Sequence, residues 1–247
     1  MKNIALLILA VIIYLPASAN DDDHNKRRGF YAHTFGLDFG FNNYLQDNDF
    51  PGADNELYAI KPWGSWYVAI TSNHIARVAG PLHLQFGADI SWYNFKFQDP
   101  AIRVDNTTNG VVFYEADVSG LNPVKSKLAA SYINFSMVPT FYFGSRPHGS
   151  NGFNMLDFDQ GNGFRIGAGA YAGYKLSDYT KFVYEDAGER EKEKDSGNYY
   201  VNNWRYGVKV IIGVNDVDFF FNYDLNELFS EGRGPQLNAV SFGVRLL

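Results

Sequence analysis

Ten charged residues pose the chemical question in this sequence. Lys61, Arg165, Lys175, Arg205, Lys209 and Arg245, against Asp38, Asp89, Asp218 and Asp224, each occupy a stretch in which apolar and polar residues alternate, and each falls on the polar face. If that face is enclosed, every charge on it must be paired or wetted, because a lone buried ion is costly. The near-balance of signs predicts an interlocked polar plug held by structural ion pairs. Counting back from the predicted hairpins sets Asp218 beside Arg245 at one end of the sheet, and Lys209 near Asp224 at mid-height. A conduction path or a site for a polar ligand is the second use for such a row.

The other reactive groups point to no catalysis. Nucleophilic chemistry needs a base within hydrogen-bond reach of a nucleophile and a third group to orient it. The histidines are His24, His33, His74, His83 and His148. None falls in a predicted external loop beside a serine and a carboxylate; His33 takes the apolar parity of its stretch and His83 the polar one, while His148 lies in the long 144–162 link on the opposite side. No metal-ligand spacing is present, so neither an enzyme nor a cofactor is expected.

What positions these groups is a repeated strand pattern. In 163–176, GFRIGAGAYAGYKL, Phe164, Ile166, Ala168, Ala170, Ala172, Tyr174 and Leu176 share one face, with Arg165, Tyr171, Lys175 and glycines on the other. The alternation recurs in 31–44, 56–72, 82–97, 126–143, 203–214, 217–228 and 236–247, which makes eight predicted strands. The run at 126–143 is the least regular, and its Pro139, which lacks a ladder donor, predicts a bulge or an end. Strands of soluble domains usually stop at about 5 or 6 residues, whereas a tilted membrane strand needs about 9 to 11. Most of these runs reach 12 or more.

Glycine adds to the case. It is penalised within a strand and gains nothing on a wet surface, yet it is frequent on the polar faces. An eight-stranded barrel leaves an interior only wide enough for side chains to fill, and small residues there make room for Arg, Lys and Tyr. The expected fold is therefore an all-β, eight-stranded antiparallel up-and-down transmembrane β-barrel, polar within and apolar toward lipid. A soluble sandwich is the alternative. A general porin is not expected from so narrow a lumen; a narrow channel for small polar solutes is the alternative there.

The N-terminus fits export. In MKNIALLILAVIIYLPASAN, Lys2 precedes an apolar run and Ala17-Ser18-Ala19 forms a small-residue cleavage signature. This reads as a signal peptide over 1–19, with a mature barrel domain over 20–247. The apolar run of about 12 residues is short of the roughly 20 that span a bilayer. There are no cysteines, so no disulfide staples the exported chain and it is not a lipoprotein. A net charge of −6 shared between both signs forms no basic tract for nucleic acid.

The connections alternate in length. Tight links at Gly80-Pro81 and Asn215-Asp216 contrast with longer polar ones at 45–55, 98–125, 177–202 and 229–235, as in a barrel with both termini on the periplasmic side. The exception, 144–162, is long where a short turn is expected; it carries Phe153, Leu156 and Phe158, which suit a lower rim. YEDAGEREKEKDSGNYY (184–200) reads as a solvated hairpin tip, with a docking surface as the functional alternative. DDDHNKRR (21–28) reads as a periplasmic tail, and Asn106-Thr107-Thr108 is a sequon of the kind that arises by chance.

KPWGSWYVAI (61–70), SYINFSMVP (131–139), RIGAGAYAGYKL (165–176), WRYGVKVIIG (204–213) and NYDLNELFSEGRGPQLNAVSFGVRLL (222–247) together resemble the outer-membrane β-barrel proteins of Bacteroidetes, the group that includes PorT-like barrels. The resemblance implies an OmpA-like eight-stranded barrel in the Gram-negative outer membrane, surrounded by outer-membrane lipid and monomeric. It implies no single activity. PorT-like members are associated with type IX secretion, so a structural or accessory role in that or another envelope complex is the functional expectation, with a barrel enzyme acting on lipids as a further alternative. Many such barrels end on an aromatic residue, whereas this chain ends Arg245-Leu246-Leu247.

Overall fold

In the computed structural model, which describes residues 31–52, 57–144, 163–215 and 217–246 (the backbone alone at 31 and 32), long antiparallel strands close on themselves. The predicted leader, the 21–28 tail, His24, His148, nearly all of 144–162, Asp216 and Leu247 lie outside the described residues. The elements are β1 (Tyr31–Leu45), β2 (Trp66–Ala79), β3 (Leu82–Lys96), β4 (Ile102–Thr107), β5 (Gly110–Glu115), β6 (Asn122–Gly144), β7 (Gly163–Asp186), β8 (Glu189–Asp195), β9 (Trp204–Val214), β10 (Val217–Asp224) and β11 (Asn238–Leu246). Strands β1, β2, β3, β6, β7, β9, β10 and β11 each pair antiparallel with the next, and β11 returns to β1, with Phe242 opposite Phe41 and Arg245 opposite Asp38. The ring of eight thus has no free edge, which satisfies the ladder groups that an open sheet exposes.

Alternation sorts side chains onto two faces. Along β9, Arg205, Gly207, Lys209, Ile211 and Gly213 turn into the ring and are buried. Trp204, Tyr206, Val208, Ile212 and Val214 turn out and are exposed. Every ring strand repeats this outward apolar row, through Phe39, Ile70, Trp92, Phe135, Tyr174, Phe221 and Phe242 among others. Glycine does on the inner face what the sequence suggests: a Cβ at Gly213 would overlap Arg165 Nε and Asp218 Oδ1, and one at Gly207 would lie 2.6 Å from the Tyr171 hydroxyl.

Several expected boundaries move. The second strand runs over Trp66–Ala79 rather than 56–72, because Pro62 opens a 3-10 turn (Pro62–Gly64) and the backbone ladder continues through Asn73 and Ile75, where the apolar alternation inverts and Ile75 points inward. Pro139 makes neither bulge nor end; β6 and β7 keep one register on both sides of it, from Met137↔Ala170 to Thr140↔Gly167. The bulges fall instead near Pro123 and Ser131. Residues 177–186, expected as loop, extend β7 upward, and from Thr180 to Asp186 they pair with β8, so the charged stretch as far as Asp195 is a hairpin turning at Ala187-Gly188.

The 98–125 connection folds as the β4–β5 hairpin, which covers the ring's upper end, opposite the tight β2–β3 and β9–β10 turns. Beneath it lies an apolar cluster that includes Tyr44, Ile60, Phe95, Phe97, Ile102, Val104, Phe229 and Leu237. The Val111 N–H donates to the Arg233 carbonyl at 2.8 Å, and Tyr200 Oη donates to the Thr107 carbonyl at 2.8 Å, tying the hairpin to the opposite rim. Replacing Gly213 by Val overpacks the inner face and is expected to lower stability by about 1–3 kcal/mol, whereas Ala at Gly52, which has open space around it, is neutral; urea unfolding of the two variants measures the difference.

Candidate functional site

The ring interior holds the densest set of enclosed charges among the described residues. Arg165, Arg205, Lys209 and Arg245 are enclosed with Asp38, Asp89, Asp218 and Asp224, four of each sign, none more than 6% exposed. At the lower end Arg165 Nε donates to Asp218 Oδ1 at 2.7 Å, and its Nη1 donates to the Asn215 carbonyl at 2.6 Å in the β9–β10 turn. At mid-height Arg245 grips Asp38 through both oxygens, Nε to Oδ1 at 2.6 Å and Nη2 to Oδ2 at 2.8 Å. Lys209 Nζ stands 3.9 Å from the same carboxylate. A fork of this type is the strongest form of the interaction and fixes orientation as well as charge.

Above these, Arg205 Nη2 donates to Asp224 Oδ1 at 2.5 Å and to the Tyr93 and Tyr171 hydroxyls at 2.5 and 3.1 Å. Its guanidinium carbon lies 4.4, 4.9 and 5.0 Å from the ring centres of Tyr93, Tyr171 and Tyr132, so three aromatic faces enclose it. Asp89 accepts from Asn134 Nδ2 at 2.5 Å, and Asn134 also donates to Ser91 Oγ at 2.9 Å. The residual cavity here, lined by Asp89, Arg205, Lys209 and Asn222 among others, measures about 10 Å³. That is room for about one water and no solute.

Asp218, Arg245, Lys209 and Asp224 all lie inside the ring, but their partners differ from those the sequence suggests. Asp218 and Arg245 are opposite each other in the β10–β11 register, yet Asp218 pairs with Arg165 and Arg245 with Asp38. Asp224 pairs with Arg205, and Lys209 with Asp38. The reason is closure: each side chain has neighbours on both flanks and across the lumen, and the hairpin count sees only one flank. Lys175, also expected inside, sits near the upper end with Nζ 3.1 Å from Asp178 and donating to the Val201 carbonyl at 2.7 Å. Lys61 does not enter the ring; it is exposed beside Lys96, past the end of β2. The apolar cap, including the inward Phe220 with its ring 5.2 Å from Tyr67, had no periodic signal.

A second cavity, of about 280 Å³, opens between the β4–β5 hairpin and the β7–β8 extension. Its walls carry Arg103, Asp105, Phe182, Glu193 and Tyr199; Arg103 pairs with Glu193, and its guanidinium carbon lies 4.6 Å from the Phe182 ring centre. Burial, with Asp195 accepting from its hydroxyl, pushes Tyr199 up to about 12. The space is slightly below the usual range of ligand pockets. His33 is outward, its ring stacked on His74 at 4.5 Å with Nε2 2.9 Å from Ser72 Oγ, while His83 is buried inside near the lower end. Among the described residues no group of histidines and carboxylates could hold a metal ion, and no helix is long and apolar enough to cross a membrane.

No family model and no curated protein matches the chain. A solved structure described as "Asymmetric conductivity of engineered proteins" aligns with 88% of this chain and 99% of its own at 10% identity, with a TM-score of 0.20, too low to carry an argument.

The ion-pair arrangement generates a prediction. Asp38→Ala leaves the Arg245 and Lys209 charges buried without their carboxylate and is expected to cost about 3–5 kcal/mol, while the triple change Asp38→Leu, Arg245→Leu and Lys209→Met, which strands neither cation, recovers most of it. Equilibrium unfolding of the three proteins measures both.

Proposed function

We propose that the mature chain is a monomeric eight-stranded β-barrel of the Gram-negative outer membrane, delivered by a cleaved leader over residues 1–19. Its plugged, capped interior does not conduct, and it serves as a structural or accessory envelope component without catalysis. One observation carries this: every ring strand turns a row of exposed large apolar side chains away from the enclosed space, while four cations and four aspartates are buried within it. A water-soluble ring needs the reverse.

Dimensions agree. From Phe164 to Tyr174, β7 climbs about 33 Å at about 3.3 Å per residue, and a tilt of about 40° makes this about 25 Å of height, the usual apolar band of such barrels. Aromatic rings stand at both borders: Phe143 and Phe164 below, Trp63, Trp66, Trp92, Tyr174 and Trp204 above. The PorT-like resemblance extends the proposal to type IX secretion or another envelope complex. Conduction of small polar solutes fits less well, since seven of the eight interior charges are ion-paired, Asp89 accepts from Asn134, and the space left among them is about 10 Å³. Lipid hydrolysis fits less well again, since the serine contact of the outward His33, with Ser72 Oγ, joins two side chains of the apolar outer face rather than lining a cleft.

Three measurements test the proposal. The protein is expected in the outer-membrane fraction, to migrate differently with and without boiling, and to give no steady unit conductance in planar bilayers; recovery as a soluble monomer sinks it. Val208→Arg, in the middle of the outward row of β9, is expected to cost about 2–4 kcal/mol when the protein is folded in lipid vesicles. An exposed site in water would show almost no change.

A further inference from the structure

On the outer side of the ring, past the upper aromatic border, lysines line up. Lys96 of β3 is opposite Lys127 of β6, Lys127 is opposite Lys181 of β7, and Lys181 is opposite Lys194 of β8. Opposed residues of antiparallel strands share a face. That face is the outer one, since Phe95 and Leu128, next along their strands, are buried inside the ring. The row continues at Lys61, whose N–H donates to the Lys96 carbonyl at 2.8 Å; the Lys61 and Lys96 side chains both border the space beside Gly64. Lys125 adds a sixth ammonium close by.

Like charges directly opposite one another destabilise a sheet, so a row of them without counter-ions calls for a reason. Among the described residues none of these lysines has a carboxylate within ion-pair distance, and three carboxylates of the adjoining β7–β8 hairpin are engaged elsewhere. Glu193 is held by Arg103, Asp195 accepts from Tyr199 at 2.7 Å, and Glu185 is held by Arg190 at 2.9 Å. Lys127 is oriented rather than free: its ammonium donates to Asn94 Oδ1 and, at 3.2 Å, to Tyr179 Oη. Lys194 Nζ lies 4.0 Å from the centre of the same tyrosine ring. Burial and the ammonium groups of Lys181 and Lys194 push the Lys127 amine down to about 8, and burial with Lys127, Lys96 and Lys181 lowers Lys125 as well. An anion at this place relieves that repulsion.

We propose that this lysine row is a binding site for the phosphates of an outer-leaflet glycolipid carrying more than one phosphate. The assignment rests on the barrel reading, which sets the row at the lipid headgroups. On β3, Lys96 follows the border residue Trp92 by four positions, about 13 Å along the strand and about 10 Å in height with the usual tilt. Lys127 bends back toward Asn94, one outward position above Trp92. From Lys96 to Lys194 the row crosses four strands, about 14 Å at about 4.8 Å per step. A single phosphate leaves most of that width unneutralised, whereas a headgroup with phosphates at both ends of a sugar unit covers it.

The test uses the full-length mature protein in detergent, with native mass spectrometry counting retained lipid and a boiling-dependent gel shift reporting the folded barrel. The probes are diphosphoryl lipid A, monophosphoryl lipid A and phosphatidylglycerol. The wild type is expected to retain diphosphoryl lipid A in preference to the other two. Replacing Lys96, Lys127, Lys181 and Lys194 by Gln is expected to weaken retention at least about tenfold, with the gel shift intact; the same four changed to Arg are expected to keep it. Equal retention by the Gln variant, or no preference for the two-phosphate lipid, overturns the site while the barrel stands. Loss of the gel shift in the wild type overturns the barrel reading, and the inference with it.

Discussion

The pairing of β11 with β1 is the constraint from which the rest of the structure follows. Once the last strand returns to the first, every ring strand has two neighbours, and each side chain is either inside or outside. With only eight strands the inside is narrow. Whatever enters it is removed from water, so ions there need partners, bulky groups need gaps beside them, and the alternation must hold from one border to the other.

The interior answers in three tiers. Below, Arg165 and Asp218 seal the β9–β10 turn; at mid-height Asp38 holds Arg245 with Lys209 nearby; above, Arg205 is enclosed by tyrosines and Asp224. Over these tiers the chain changes chemistry, and an apolar cluster beneath the β4–β5 hairpin takes over. Ion pairs of this kind are weak evidence for stability, because desolvation offsets much of their attraction. Their geometric content is larger: a bidentate Arg–Asp pair across the β1–β11 seam is satisfied in one register only, and slipping that seam by one residue would turn Asp38 outward.

The outer surface carries a different balance. Its middle is a continuous apolar band, its upper border is aromatic, and beyond that border the strands β6 and β7 continue with lysines in register. The same ladder that pairs Phe135 with Ala172 lower down pairs Lys127 with Lys181 higher up. On the proposed reading, one pair of strands passes from hydrocarbon to headgroup to water, and its outward residues change accordingly.

The strand periodicity was legible in the sequence because the lattice of a strand has period two whatever surrounds it. Tyr93, Arg165, Arg205, Lys209 and Arg245 were all assignable to the inner face from their neighbours alone, as were Trp92, Phe135 and Phe242 to the outer one. The signal failed where another force took over: at Pro62, which replaces strand by a turn; at Asn73 to Ile75, where the ladder continues though the pattern inverts; and in 98–125 and 177–202, where apolar residues serve the cap and charged residues still form strand. Which cation meets which carboxylate was beyond reach, since ring closure and the lumen's width bring Asp38 to Arg245 across 207 positions of chain and Arg165 to Asp218 across the β9 strand between them. Local alternation determined which side of the sheet each residue takes. Only the closed tertiary structure decided its partner there, because contact across a lumen depends on strand number and stagger, which no single stretch of sequence contains.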